Sequence, residues 1–149
     1  MSSNALQSII CPKLCLLNPA SKEFLLCKRK GEADFDRTYS FPGGKTELSD
    51  ESIEAGIQRE LAEELGSVFA YELSSQLCFL VEYVRSDSKH MTLPHFFGVA
   101  SKEQHIDLNA EEYNDYAWTR IEDMAKISVI KNVPMICALH PLLSAQRVQ

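Results

Sequence analysis

Apolar segments of strand length alternate with polar turns along the chain, a pattern typical of a sheet with helices packed on it. The pattern predicts strands over residues 8–17, 23–29, 70–73, 77–85, 93–100 and 116–120. Pro12, inside the first of these segments, indicates a sheet edge or a bulge. Helices are predicted over residues 52–65 and 133–145, with a turn or short helix at 121–124. This order of elements predicts a mixed sheet with helices, an α+β fold.

The helix over residues 52–65 carries an apolar stripe formed by Ile53, Ile57, Leu61 and Leu65. Successive residues are about 100° apart around a helix axis, so Glu60 and Glu64 project about 40° apart. Glu64 points between two residues of the stripe, Glu60 lies on its edge, and Glu63 lies about 60° beyond Glu60. Two carboxylates therefore border the buried face, where an uncompensated charge is costly.

Gly56 lies in the middle of the same helix, where glycine costs about 1 kcal/mol relative to alanine. Its direction falls between those of Glu60 and Glu63, so the missing side chain leaves room beside the carboxylates. A hard divalent cation with oxygen ligands would fit there. The alternative is a surface helix whose acids are solvated and balanced by Arg59 and by lysines.

Length and charge limit the remaining possibilities. A chain of 149 residues is predicted to form one domain over residues 1–149. The net charge of −6 disfavours non-specific binding to nucleic acid or to an anionic membrane, but a metal site can still bind an anionic small molecule. The five cysteines have no Cys-x-x-Cys spacing, which indicates reduced thiols in a cytoplasmic protein. We expect no signal peptide and no membrane span, because the apolar runs are too short.

Residues 41–66, FPGGKTELSDESIEAGIQRELAEELG, closely resemble the Nudix box, G-x5-E-x7-R-E-U-x-E-E-x-G-U, in which U is aliphatic. Residues 51–66 match every fixed position of that spacing. The preceding Phe-Pro-Gly-Gly and the later Trp118 are also similar to the family. The resemblance covers most of the chain, and it is strong over residues 41–66.

Two departures lie at the ends of the motif. Six residues rather than five separate Gly44 from Glu51, so the loop has one extra residue. Ser67 stands in place of the last aliphatic residue. Choosing Asp50 as the acid restores the five-residue gap but changes its spacing to Arg59.

The resemblance implies an α/β/α sandwich that hydrolyses a pyrophosphate bond in a nucleoside diphosphate-linked compound. The ligands of Mg²⁺ or Mn²⁺ would be Glu60, Glu63, Glu64 and the carbonyl oxygen of Gly44. Arg59 and Glu51 would orient the loop and the glutamates. A carboxylate must also take a proton from the attacking water. Glu60 is the first candidate for that base, and Glu111 or Glu112 on a later loop are the others, unless that pair is a solvated acidic loop.

Basic and aromatic residues outside the helix are the candidates for substrate binding: Arg29, Lys45, Tyr83 and Trp118. Tyr83 lies where the dinucleoside polyphosphate hydrolases of the family carry a tyrosine, although a lone strand tyrosine is often a packing residue. The default substrate is a nucleoside triphosphate or a modified nucleotide. A dinucleoside polyphosphate, a nucleotide sugar, ADP-ribose and a non-catalytic nucleotide sensor are the alternatives. Many relatives are dimers, so a homodimer is also possible.

Overall fold

The structure is a computed structural model that describes residues 7–31 and 36–143, with only the backbone described at residues 75–78. Its elements, in chain order, are β1 (Ile9–Ile10), β2 (Lys13–Asn18), β3 (Glu23–Arg29), β4 (Tyr39–Ser40), α1 (Ile53–Leu65), β5 (Glu72–Val84), β6 (His90–Val99), β7 (Tyr113–Thr119), a 3-10 helix (Ile121–Lys126) and α2 (Val133–Ala138). No helix in these described ranges is long and apolar enough to cross a bilayer.

The strands of the described residues form one mixed sheet built around β2 and β3. β2 runs antiparallel to β3, with Leu17 opposite Phe24, and parallel to β6, with Cys15 opposite Phe97. β3 also pairs with β7 and β4, and β6 pairs with β5 and β1. The predicted strand over residues 23–29 is confirmed at both of its ends.

Side chains of β2 alternate between the two faces of the sheet, as the period of a strand requires. Leu14 and Leu16 belong to an apolar cluster with the buried face of α1. Cys15 and Leu17 belong to a second cluster, with residues of α2. The sheet therefore lies between helices, which confirms the predicted α/β/α sandwich and its mixed sheet.

The first predicted strand is interrupted, because Pro12 has no N–H to donate to a neighbouring strand. β1 ends at Ile10 and β2 begins at Lys13. At the break, the N–H of Leu14 donates to the carbonyl oxygen of Pro42 at 2.9 Å, and Lys13 forms an isolated bridge with Gly43. The interruption therefore holds the Pro-Gly-Gly turn against the central strand.

Other predicted boundaries also differ from the structure: β6 begins at His90 rather than at residue 93, and β7 spans Tyr113–Thr119 rather than 116–120. The strands expected over residues 70–73 and 77–85 form the single strand β5, whose register with β6 is irregular between Ser74 and Cys78. The helix expected over residues 133–145 is interrupted: α2 ends at Ala138 and residues 141–143 are helical again, because Pro141 has no N–H to continue the first helix and can only begin the next turn. Residues 144–145 of that prediction lie outside the described chain.

Candidate active site

α1 places two carboxylates at the edge of the core. Ser52 caps the helix by accepting a hydrogen bond from the N–H of Ala55 at 3.0 Å, and Gly66 ends it at φ 93°. Glu60 is 8% exposed and Glu64 is 1% exposed, so the prediction that both border the buried face is confirmed. One residue of the predicted stripe was misplaced: Ile53 is exposed, because it lies in the first turn beyond the core.

Glu64 is the more deeply buried of the two acids. Its Oε2 accepts a hydrogen bond from the backbone N–H of Gly43 at 2.9 Å. Burial raises the pKa of Glu64 to about 9, although the positive charge of Lys13 and the Gly43 N–H lower it. Burial also raises the pKa of Glu60, and the Arg59 guanidinium opposes that rise. Both shifts have the same main cause, because the site holds these carboxyl groups where water cannot stabilise their charged forms.

A third carboxylate comes from the loop before β7. Carboxylate oxygens of Glu60, Glu64 and Glu112 lie within 4.8 Å of one another. The loop is tied to the end of α1, because the N–H of Asn109 donates to the Glu64 carbonyl oxygen and that of Asp107 to the Leu65 carbonyl oxygen, both at 2.9 Å. These backbone bonds hold Glu112 beside the helix.

Glu63 takes a different place from its neighbours. Its side chain is 54% exposed, and both of its carboxylate oxygens accept hydrogen bonds from Arg59 at 3.2 Å. It is not a member of the group formed by Glu60, Glu64 and Glu112. The structure therefore places Glu112 where the sequence suggested Glu63, and the role of Glu63 as a metal ligand stays a prediction.

Arg59 ties the loop to the helix through a fork of hydrogen bonds. Its Nε donates to Asp50 Oδ1 at 2.8 Å, and its second terminal nitrogen donates to Asp50 Oδ2 and to the Lys45 carbonyl oxygen, both at 3.0 Å. Its other terminal nitrogen donates to Glu60 at 3.0 Å. The acid that orients the loop is therefore Asp50, and the expectation for Glu51, which is exposed, was wrong.

This pairing locates the extra residue of the loop. Asp50 follows Gly44 at the family's five-residue gap, so the loop itself has the usual length. The additional residue lies between Asp50 and the start of α1. Asp50 accommodates it by accepting hydrogen bonds from both Arg59 and the Glu47 N–H, the latter at 2.7 Å.

Asp50→Asn is expected to lower kcat/KM by at least about tenfold and to lower the melting temperature. The amide cannot accept two hydrogen bonds from the Arg59 fork, and the charge-assisted pair is lost. Glu51→Gln removes the same charge from the next residue and is the matched control, with kcat/KM expected within about twofold of wild type. Kinetics and thermal unfolding of the two variants measure this. The reverse order of effects would assign the role to Glu51.

The glycine that makes room beside the carboxylates is Gly44 rather than Gly56. A Cβ on Gly44 would overlap the carboxylate of Glu60. A Cβ on Gly56 would instead lie 3.0 Å from Asp50 Oδ2 and 3.2 Å from Thr46 Cγ2, so Gly56 lets the loop pack on the helix. The prediction that Gly56 leaves room for an ion beside the carboxylates was therefore wrong, because that room is at Gly44.

Gly44→Ala is expected to reduce activity by at least about tenfold with a small loss of stability. The new methyl group meets the end of a flexible side chain, so Glu60 can rotate away at little cost in unfolding free energy, below about 1 kcal/mol. The rotation removes a carboxylate from the group of three. Steady-state kinetics and chemical denaturation test this, and wild-type turnover would show that the position of Glu60 is not critical.

Two adjoining cavities open beside the carboxylates. The first, which we call the polar cavity, has a volume of about 310 Å³ and contains the side chains of Glu64, Glu111 and Glu112. Five basic residues also line it: Lys13, Arg29, Lys30, Lys45 and Arg85. Such a combination suits an anionic ligand that carries a divalent cation.

The second cavity, which we call the apolar cavity, has a volume of about 530 Å³ and is lined mainly by Phe41, Val81, Leu93, Val133 and Met135. His95 is also part of its wall, and burial lowers the pKa of this histidine to about 4, so the ring is neutral at pH 7. Four residues line both cavities: Lys13, Arg29, Tyr83 and Leu93.

The structure brings three of the four predicted substrate-binding residues to the cavities. Arg29 and Tyr83 line both, and Lys45 lines the polar cavity. Trp118 lines neither of them, since it lies opposite Leu25 and packs on the cluster that faces α1. The helix side of the sheet therefore holds Trp118 away from both cavities.

Sequence reasoning missed Lys13 and His95. Lys13 interrupts an otherwise apolar strand, and that single charge was the available signal. His95 lies in an apolar strand and has no ligand-like spacing to another histidine, so nothing in the sequence marked it.

Known proteins share both the sequence pattern and the fold. The model of the NUDIX domain family matches residues 13–139. Nucleoside triphosphatase NudI from Klebsiella pneumoniae subsp. pneumoniae is 28% identical, over 92% of this chain and 98% of the relative. The MutT NUDIX hydrolase from Burkholderia pseudomallei has a TM-score of 0.70 at 21% identity, covering 89% of this chain and 97% of that one. The C. elegans Ap4A hydrolase has a TM-score of 0.72 at 16% identity, covering 94% and 98%. Because the family model spans most of its length, the chain belongs to the NUDIX hydrolase family.

Proposed function

We propose that this Nudix hydrolase cleaves a phosphoanhydride bond of nucleoside triphosphates with the help of Mg²⁺ or Mn²⁺. One observation carries the proposal. Oxygens of Glu60, Glu64 and Glu112 lie within 4.8 Å of one another, beside a cavity lined by five basic residues. The carboxylates would repel a bare triphosphate, whereas the basic residues would attract it. The two kinds of group together suit a metal–triphosphate complex.

The residues present fit a hard divalent cation. The group offers only oxygen ligands, which Mg²⁺ and Mn²⁺ prefer. Two of its three carboxylates are buried, and burial raises the pKa of both Glu60 and Glu64, so a cation would compensate their charge. Glu60 and Glu64 would hold the ion, with Glu63 and the Gly44 carbonyl oxygen as further candidates, and Glu112 would lie beside it. When bound, such an ion neutralises phosphate charge and lowers the pKa of coordinated water.

The protein's own groups bind the substrate and receive the proton. Basic residues of the polar cavity neutralise the phosphates, and the Gly43 N–H keeps Glu64 in position. A water oxygen forms a bond to one phosphorus atom while the bond from that phosphorus to the bridging oxygen breaks. The leaving phosphate retains the bridging oxygen and the electron pair, and a carboxylate takes the proton from water.

Glu112 is the carboxylate we propose as the base, because it belongs to the group of three and is exposed to water. Glu112→Gln is expected to lower kcat by at least about tenfold, since a general base contributes about 10²-fold or more. Glu111 lines the same cavity outside the group, so Glu111→Gln is the matched control with kcat within about threefold. If the two changes had equal effects, Glu112 would not be the base, and Glu60, the first candidate for the base in the sequence analysis, would be favoured instead.

Nucleoside triphosphates are the substrate class we propose, and the name of the 28% identical relative, a nucleoside triphosphatase, supports this choice. A non-catalytic sensor is the weaker alternative, because none of the glutamates in the Nudix box is lost. We further propose a cytoplasmic location. In support of it, the four cysteines whose side chains the structure describes are buried and form no disulfide with one another. A homodimer stays a prediction.

The test is a substrate screen with purified protein in Mg²⁺. The substrates are the ribonucleoside and deoxyribonucleoside triphosphates, a dinucleoside tetraphosphate, a UDP-sugar and ADP-ribose, and phosphorus NMR identifies the bond that breaks. We expect the triphosphates to have the highest kcat/KM, with turnover abolished by EDTA. Preferential cleavage of another compound would change the substrate class, and binding without turnover would favour the sensor.

A further inference from the structure

Lys13 lies where the polar and apolar cavities meet, and the proposed mechanism gives this residue no specific task. Lys13 is 8% exposed, and the next two residues of its strand, Leu14 and Cys15, are fully buried. Lysine is rarely buried unless its charge is paired, because removing an ammonium group from water costs several kcal/mol. The buried ammonium group of Lys13 therefore needs hydrogen-bonding or charged partners, and the chain supplies only some of them.

The partners of the Lys13 ammonium group are few. Within residues 7–31 and 36–143, one hydrogen bond is recorded for it, to the Gly43 carbonyl oxygen at a long 3.5 Å. Its charge also lowers the pKa of the Glu64 carboxyl group. An ammonium group has three N–H donors, so donors remain for a ligand at the junction.

We propose that the apolar cavity binds the nucleoside and that Lys13 binds its α-phosphate, an inference that rests on the proposed function. The apolar cavity, at about 530 Å³, has the size of a small-molecule site. The polar cavity, with its carboxylates and basic residues, suits the outer phosphates. In a nucleoside triphosphate the α-phosphate is the group between these parts. Two basic residues, Lys13 and Arg29, line both cavities, and Lys13 is the buried one.

The chemical complementarity extends to the walls of the apolar cavity. Phe41 and the neutral ring of His95 meet edge to face, with ring centroids 5.7 Å apart. Asn132 adds an amide to the same wall, and its side chain does not cap α2. An apolar site with a few polar groups is the usual environment for a nucleobase.

A binding cycle without metal tests the inference independently of turnover. Nucleoside 5′-monophosphates of the common bases and their parent nucleosides are titrated in EDTA by calorimetry into wild type and Lys13→Met. Wild type should bind the best monophosphate at least about tenfold tighter than its nucleoside, as a charge-assisted hydrogen bond allows. In Lys13→Met the affinity for the monophosphate should fall close to that for the nucleoside, whose own affinity should not change.

Three further variants separate a phosphate contact from a structural role. Lys13→Gln keeps a donor for the Gly43 carbonyl oxygen and should lose the ratio as Lys13→Met does, whereas Lys13→Arg should recover part of it. Lys102→Met, which removes an exposed lysine that pairs with Glu23, should retain the wild-type ratio. If Lys13 only compensated the charge of Glu64, its loss would strengthen Mg²⁺ binding and leave the ratio unchanged.

Either an unchanged ratio in Lys13→Met or a wild type that does not prefer the monophosphate overturns the assignment of Lys13. Failure to bind any nucleoside overturns the assignment of the cavity. In contrast, failure of the proposed function would appear in the substrate screen, as absent turnover of triphosphates by a protein that still shows the binding ratio.

Discussion

Glu64→Gln is expected to lower kcat by about 10³-fold or more at saturating Mg²⁺ while the protein keeps its fold. The glutamine oxygen can still accept the hydrogen bond that the Gly43 N–H donates to Glu64 at 2.9 Å. What is lost is the negative charge of one of the two buried carboxylates, Glu60 and Glu64, that would hold the cation. A thousandfold loss corresponds to about 4 kcal/mol of transition-state stabilisation, within the range for a metal that neutralises phosphate charge.

The measurement combines steady-state kinetics, Mg²⁺ titration and near-ultraviolet circular dichroism. Glu54→Gln removes the same charge from the first turn of α1, away from the group of three carboxylates, and serves as the control. Its kcat should remain within about twofold of wild type. Retention of more than a tenth of wild-type kcat by Glu64→Gln would contradict the assignment of the metal site.

The contribution of Glu64 to stability, measured as the difference between wild type and Glu64→Gln, should depend on pH with a definite sign. Burial raises the pKa of Glu64 to about 9 from an ordinary value of 4.5, so the folded state binds one more proton than the unfolded state between these values. In EDTA, this group's contribution is fully present below pH 4.5 and is lost as the pH rises towards 9. Melting curves of wild type minus Glu64→Gln should therefore show a stability difference that declines with pH. A flat difference would show that Glu64 titrates normally.

The part of the site that lies on α1 could be predicted from the sequence because a helix has a fixed local period. The burial of Glu60 and Glu64 follows from their spacing to the aliphatic stripe and required no knowledge of the sheet. The choice between Asp50 and Glu51 could not be made in this way. Consecutive acids in a loop have no periodicity, and the Arg59 fork decides between them through tertiary contacts.

The strand residues show a second limit. Alternation predicts that neighbouring strand residues face opposite sides, but the identity of each side depends on the partners of the strand. Trp118 looks suitable for stacking on a base, yet its register opposite Leu25 puts it on the α1 side of the sheet. Lys13 looks like an interruption of an apolar strand, yet the bridge to Gly43 puts it between two cavities.

Gly43→Ala is expected to destabilise the protein by about 3 kcal/mol or more, a large part of the total stability of a domain of this size. Gly43 has φ 147°, a conformation that side-chain-bearing residues rarely adopt. An added Cβ would overlap the Pro12 carbonyl oxygen and lie 2.9 Å from Lys13 Cα. Both obstacles are backbone atoms of the interrupted strand, so relief requires the turn to move away from β2.

The adjacent Gly44→Ala makes this prediction specific, because the same methyl group is added one residue along the chain. At Gly44 it meets the flexible end of Glu60, whereas at Gly43 it meets backbone. Chemical denaturation should therefore show a large loss of unfolding free energy for Gly43→Ala and a small one for Gly44→Ala. Moving the turn would also withdraw the Gly43 N–H from Glu64, so any folded Gly43→Ala protein should bind Mg²⁺ more weakly. Equal stabilities of the two variants would mean that the turn is not held against β2 as described.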